Sequence, residues 1–176
     1  MILYHTGPVA IPKPDIRIGR KNADFGQGFY LTPDRDFALR WAGPEAVLNE
    51  YELDESGLVI HRFVRDEDWF DCLFRNRRGR DGVTGADVVI GPIANDTLFD
   101  TLGIISSGFL EPAQAMRLLM IGPEYTQVAV KTDRAAARLR YLRSERIERQ
   151  DEKSRLLEQE AYQTAFAAAM EEMLGE

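Results

Sequence analysis

The stretch DFGQGFYLTPDRDFALRWA, residues 24–42, holds residue types that a bare turn does not need. Gly26 and Gly28 flank one polar residue, and glycines there let a backbone take positive φ and approach a ligand closely. A turn requires no Tyr30 or Thr32 directly after it, nor Trp41 at the far end of the following helix. Taken singly, Tyr30 reads as a core aromatic and Trp41 as the buried face of an amphipathic helix. A histidine, His5, closes the apolar run ILYH and is followed by Thr6 and Gly7. The basic run RNRRGR at 75–80 reads either as a solvated loop or as a phosphate-contacting one. Cys72, in WFDCLF, reads as a buried small hydrophobe rather than a nucleophile. No Cys/His cluster suits zinc and no carboxylate spacing suits calcium. A Walker A sequence is absent, and GQG alone is not a dinucleotide fingerprint.

The elements that must position these residues follow from pattern. ILYH (2–5) reads as a first strand. Residues 7–29, with three prolines and several glycines, read as loops and turns. FYLT (29–32) is a short β-prone run, and Pro33 or Asp34 starts a helix carrying Phe37, Ala38 and Trp41 on one face. VLNEYELD (47–54) and LVIHRFV (58–64) alternate as strands, with His61 a packed or surface residue of the second. DEDWFDCLFRN (66–76) reads as a helix and ADVVIGPI (86–93) as a buried strand. NDTLFDTLGI (95–104) reads as the start of a helix capped by Asn95 or Asp96. EPAQAMRLLM (111–120) is a helix with Pro112 in its first turn, and TQVAVKT (126–132) is read as the final strand. DRAAARLRYLR is then a helix against the domain. Residues 143–155 are nearly all charged and read as a solvated helix. An apolar stripe returns at Tyr162, Phe166, Ala169, Met170 and Met173. The division is therefore a domain at 1–142 and a charged-then-amphipathic arm at 143–176. The arm either folds back or offers a docking face to a partner or a second copy.

The bulk numbers suit one domain: 176 residues, 44% hydrophobic and 29% charged. A net charge of −7 gives no general attraction for nucleic acid. No apolar run reaches membrane-spanning length, and MILYHTGPVAIPKP is not expected to act as a signal peptide. One cysteine forbids an internal disulfide, which suits a reducing cytosol.

The order of LYHTG (3–7), GQGFYLT with Trp41 after it, and the late strand TQVAVKT resembles the ADP-ribosyltransferase superfamily, in its diphtheria-toxin-like and poly(ADP-ribose)-polymerase-like branch. With DFGxGFYLT, NR and GPIAND, the chain is similar to an uncharacterised bacterial family within it. The resemblance covers about residues 1–142. It implies an α+β fold of two packed, split antiparallel sheets with an NAD cleft between them, flanking helices, and mono-ADP-ribosylation of a macromolecular acceptor, protein or nucleic acid. Small members of this kind are often bacterial or phage toxins or effectors held by an antitoxin, so the arm at 143–174 would suit an antitoxin or a second copy. NAD enters as substrate, and neither a metal nor a membrane is implied.

The same resemblance assigns roles. His5 would hold the nicotinamide-side ribose. Thr6 would offer backbone N–H and C=O to the nicotinamide amide, with the usual glycine one place later at Gly7. Tyr30 would stack on the nicotinamide ring, Trp41 would cover its other face, Thr32 would support the pocket, and Gly28 would let the backbone approach. Stacked aromatics orient a ring at small entropic cost. Gln127 stands where many relatives carry a glutamate; its amide can bind a hydroxyl but cannot be a general base at neutral pH. The acid would then come from Asp96 or Glu124, from the target, or not at all, with Asp96 also reading as a helix cap and Glu124 as a loop residue. Arg20 and Arg77 would take phosphates or the acceptor, and Asn76 and Asn95 would contact the ligand or shape loops. The rivals are an NAD glycohydrolase, and a degenerate NAD- or ADP-ribose-binding module that works through its arm.

Overall fold

A computed structural model describes residues 1–40, 42–43, 45–94, 112–147 and 152–174. Trp41, Asn95 and Asp96, and the helix expected from residue 95, lie outside the described residues.

The fold is α+β. Strands β1 (Ile2–Gly7), β3 (Val47–Leu53) and β7 (Leu139–Arg146) form one sheet in the order β1-β3-β7. Strands β2 (Phe29–Leu31), β6 (Thr126–Val130), β5 (Val88–Pro92) and β4 (Ile60–Arg62) form the second, in the order β2-β6-β5-β4. The helices are α1 (Arg35–Arg40), α2 (Glu67–Arg77), α3 (Pro112–Leu119), the single turn α4 (Asp133–Ala136) and α5 (Glu152–Leu174).

Alternation builds the core. Phe29 and Leu31 of β2, with Val128 and Val130 of β6, face Leu3, Tyr51, Leu53 and Leu139 of the first sheet. The opposite face of the second sheet presents Val89 and Ala129 to Trp69, Cys72 and Leu73 of α2, with Phe25 beside them. Helix α2 is started by Asp66, whose carboxylate accepts from the Trp69 N–H at 2.9 Å. Burial pushes the Cys72 thiol up to about 11, so it stays protonated and behaves as a core residue.

Two expectations are corrected. The second sheet is mixed: β4 pairs parallel with β5, because α2 crosses over between them and returns the chain in the same direction. Residues 139–146, read as helix, are strand β7 on the edge of the first sheet, and TQVAVKT is not the final strand. The charges there serve cross-strand pairing. Arg143 Nε donates to Glu50 at 2.8 Å, and Arg140 pairs with Glu52 on β3. Strand β7 thus runs through the boundary drawn at 142. Of the two readings of the arm, the structure shows the first: it folds back. Met173 and Leu118 are buried together, with Phe166, Ala169, Met170 and Ile121 around them. Glu158 accepts from the Tyr125 hydroxyl at 2.8 Å and lies 3.8 Å from Arg40. The apolar stripe is therefore occupied by α3, and Leu156 and Leu157 are left exposed on the arm. No described helix is long and apolar enough to cross a membrane.

Candidate functional site

The two sheets touch and then part. Tyr4 N–H donates to the Thr32 carbonyl at 2.8 Å, and Thr32 N–H donates to the Tyr4 carbonyl at 2.9 Å. Among the described residues this is the single bridge between β1 and β2. Past it a continued ladder would pair Thr6 with Tyr30. Instead the His5 imidazole enters the gap, with Nδ1 2.7 Å from the Tyr30 carbonyl oxygen. Backbone groups alternate sides along an antiparallel strand. The N–H and C=O of Thr6 therefore point the way those of Tyr4 do, into the opening where β2 has diverged.

The opening is a cleft of about 250 Å³. Tyr4, His5 and Thr6 line it from β1, Tyr30 and Leu31 from β2 with Thr32 just after it, and Phe37 and Ala38 from α1. Gln127 and Arg77 reach it from β6 and α2, and Arg20, Asn22 and Asp24 from the loop before the glycine turn. The volume lies just below the usual range of small-molecule sites, room for a small ligand or part of a larger one.

His5 has a defined state. A carbonyl only accepts, so Nδ1 carries the proton toward Tyr30 and Nε2 is left as an acceptor. Burial lowers its pKa from the ordinary 6.5, more than the Tyr30 hydrogen bond raises it, so the ring is neutral near pH 7. A Cβ added at Gly7 would lie 3.3 Å from His5 Nε2. The missing side chain at Gly7 keeps that nitrogen uncrowded.

Tyr30 is doubly employed. Tyr30 lines the cleft, while its hydroxyl donates to the Gly26 carbonyl at 2.7 Å and accepts from the Phe25 N–H at 2.9 Å. Gly26 takes φ 77° at this point. Burial raises the phenol's pKa further, so the hydroxyl stays neutral. The answer to why Tyr30 follows this turn is that it ties the turn down. Gly28 lies outside the cleft lining. A Cβ there would meet the Val130 carbonyl at 2.8 Å, so Gly28 serves the close approach of β6. Thr32 is buried and accepts from the Asp34 N–H at 3.2 Å, while Asp34 in turn accepts from the Phe37 N–H at 2.9 Å and starts α1.

The floor is built around a residue that sequence reasoning missed. Asp24 Oδ1 accepts from Arg77 Nε at 3.0 Å and Nη2 at 2.5 Å. Asp24 Oδ2 accepts from Gln127 Nε2 at 2.8 Å and the Ala94 N–H at 3.2 Å. Arg77 thus grips Asp24, not the exposed surface expected of a phosphate-binding fork. Gln127 Nε2 also donates to the Pro92 carbonyl at 3.1 Å. With both amide hydrogens engaged, the amide's remaining polar atom is the acceptor Oε1. Asn76 shapes the loop: it donates to the Asp24 carbonyl at 2.9 Å and accepts from the Gly82 N–H at 3.0 Å. The sequence shows only a carboxylate leading into a turn, since the donors that define Asp24 lie 53 to 103 residues away along the chain.

Other expected residues fall elsewhere. Arg20 lines the cleft and is exposed, as a residue at a lip. Glu124 lies 4.0 Å from Arg65, is largely exposed and is not part of the lining. His61 is exposed and tilts against Phe63 at 4.4 Å.

No curated protein matches the chain. Residues 1–141 match the family described as protein of unknown function (DUF3990), so the chain belongs to that family.

Proposed function

We propose that the cleft binds the nicotinamide riboside half of NAD and that the protein is a mono-ADP-ribosyltransferase acting on a macromolecular acceptor, in the manner of a toxin or effector. The carrying observation is the split at Tyr4–Thr32. It leaves a neutral His5 with a free acceptor nitrogen, Tyr30 and the outward backbone groups of Thr6 in one opening. These are the groups a flat carboxamide ring joined to a ribose would use. The ring stacks on Tyr30, its amide meets the N–H and C=O of Thr6, and a ribose hydroxyl donates to His5 Nε2. Gln127 Oε1 accepts a second hydroxyl. Exposed Arg20 at the lip suits the anionic part of the substrate.

The reaction breaks the bond between ribose C1′ and the nicotinamide nitrogen. The electron pair leaves with nicotinamide, positive charge spreads over C1′ and the ring oxygen, and the acceptor attacks the opposite face and loses a proton. The protein contributes orientation and fixed acceptors near the developing charge. Gln127 cannot take the acceptor's proton. That feature weighs equally on water and on a macromolecular acceptor, and NAD glycohydrolysis is the second reading.

The test incubates the protein with adenylate-labelled NAD and a bacterial extract, beside His5→Ala/Tyr30→Ala. Label on a macromolecule with wild type alone supports transfer and identifies the acceptor class. Free ADP-ribose without labelled macromolecule selects glycohydrolysis. No consumption of NAD overturns both.

A further inference from the structure

We propose that Asp24 is a positioning residue of the cleft, which fixes the Gln127 amide so that its Oε1 acceptor is the atom presented to the ligand. The functional consequence rests on the NAD reading above; the orientation itself does not.

Four donors converge on the Asp24 carboxylate: two from Arg77 on Oδ1, and Gln127 Nε2 with the Ala94 N–H on Oδ2. The pair is sheltered, with Asp24 at 11% and Arg77 at 6% side-chain exposure. A carboxylate offers about four lone-pair sites, so this one is saturated and does not serve as the base that Gln127 replaces. Its effect passes through Gln127. The Gln127 nitrogen sits between two acceptors, Asp24 Oδ2 at 2.8 Å and the Pro92 carbonyl at 3.1 Å. Flipping the amide would set Oε1 against both oxygens, which fixes the assignment. Arg77 holds the carboxylate from its other side, and Asn76 ties down the Asp24 backbone. Helix α2, the glycine turn and strand β6 thus meet at one side chain. A preset acceptor needs no reorganisation when positive charge develops beside it.

Replacing Asp24 with Asn tests this. Either orientation of an Asn amide turns an NH₂ group toward donors, those of Arg77 or those of Gln127 and Ala94. Asp24→Glu keeps the charge and both acceptors. Three readouts are taken: thermal unfolding, kcat and KM for NAD cleavage, and water exchange of the Gln127 side-chain amide protons by ¹⁵N NMR. The wild type is expected to show slow exchange at that amide. In Asp24→Asn exchange becomes fast and kcat falls on the order of 10–100-fold, the scale on which groups that orient a site residue act, with KM changing less. Asp24→Glu recovers part of both. A folded Asp24→Asn with wild-type kcat, or freely exchanging Gln127 protons in wild type, overturns the proposal. Should Asp24→Asn not fold, wild-type exchange and Asp24→Glu decide. Wild type that consumes no NAD but has slow Gln127 exchange, released in Asp24→Asn, rejects the NAD reading and upholds the positioning role.

Discussion

The His5 imidazole stands where the next backbone hydrogen bonds between β1 and β2 would have formed, its Nδ1 2.7 Å from the Tyr30 carbonyl. A side chain thereby replaces a ladder rung and keeps the sheets apart at the cleft. Burial holds the ring's pKa below 6.5. The unfolded chain therefore binds a proton more readily than the folded one between these two values. The contribution to stability is complete above pH 6.5, declines as pH falls from there through the lowered folded value, and then levels off. Protonation would also turn Nε2 from acceptor to donor, so NAD turnover should fall over the same lower range. Chemical denaturation from pH 8 to pH 5, with His5→Phe as comparison, checks this. An identical pH slope in both proteins contradicts it.

Gly7→Ala should damage the site and spare the fold. The new methyl would sit 3.3 Å from His5 Nε2 and 3.7 Å from Ile11 Cδ1, tighter than comfortable contact on the first count. Stability should stay within about 1 kcal/mol of wild type, because a strand tolerates Ala at least as well as Gly. NAD turnover should drop about tenfold or more, since small displacements at a reacting centre are costly. Paired thermal melts and steady-state kinetics separate the two effects. Unchanged turnover would mean that Nε2 is not used.

Tyr30→Phe separates the two uses of Tyr30. The ring stays, but the Phe25 N–H loses its acceptor and the Gly26 carbonyl its donor. The expected cost is about 1–3 kcal/mol, typical of stranding a buried backbone group. A stacking role alone would predict no such loss. Urea unfolding gives the number.

Much of the fold was legible, and the failures share a cause. Strand β3 announces itself by apolar alternation, β1, β5 and β6 by short β-prone runs, and α2 by the pattern of DEDWFDCLFRN. Strand β7 does not. In LRYLRSER the exposed residues are arginines, and the β3 partners of Arg140 and Arg143 lie 88 and 93 residues away along the chain, so the segment imitates a solvated helix. The same reasoning explains the site. His5, Thr6, Tyr30 and Gln127 could be chosen from local motifs, whereas Asp24 gains its meaning only when α2, β5 and β6 bring four donors to it.

Asp87 should govern acid stability away from the cleft. It is buried, and accepts from the Val59 N–H at 2.8 Å, the Thr132 hydroxyl at 2.7 Å and the Arg134 guanidinium. The Arg134 hydrogen bond, ahead of those from Thr132 and Val59, holds its carboxyl well below the usual carboxylate range. Its stabilisation is therefore present above the unfolded value near 3.8 and is lost as pH falls below it toward the folded value. Asp87→Asn should cost about 1.5–3 kcal/mol at pH 7 and flatten the acid limb. Unfolding midpoints from pH 7 to pH 2 test both. An acid limb as steep as that of wild type would assign acid lability to other carboxylates.

Met173→Asp should release the arm. Met173 is buried against Leu118, and the contact is flanked by Phe166 and Met170 and by an Arg117–Glu172 pair at 3.3 Å. Losing the buried methionine alone costs about 2–5 kcal/mol, and a carboxylate cannot be buried there without a partner. The ion pair is exposed and contributes little. A protein helix takes most of its stability from packing of its apolar face, so once released, backbone amides over 156–173 should exchange far faster than in wild type. The effect should also reach the cleft. Glu158 holds Tyr125, Tyr125 stacks on Phe37 at 4.2 Å, and Phe37 is a cleft wall. Loss of Glu158 frees Tyr125 to move, so exchange at α1 should rise with exchange at the arm, while the amides of β5 and β6 keep their protection. Hydrogen exchange by mass spectrometry reads all three regions at once. An arm that exchanges freely beside an unchanged α1 would break the link from Glu158 to the cleft wall.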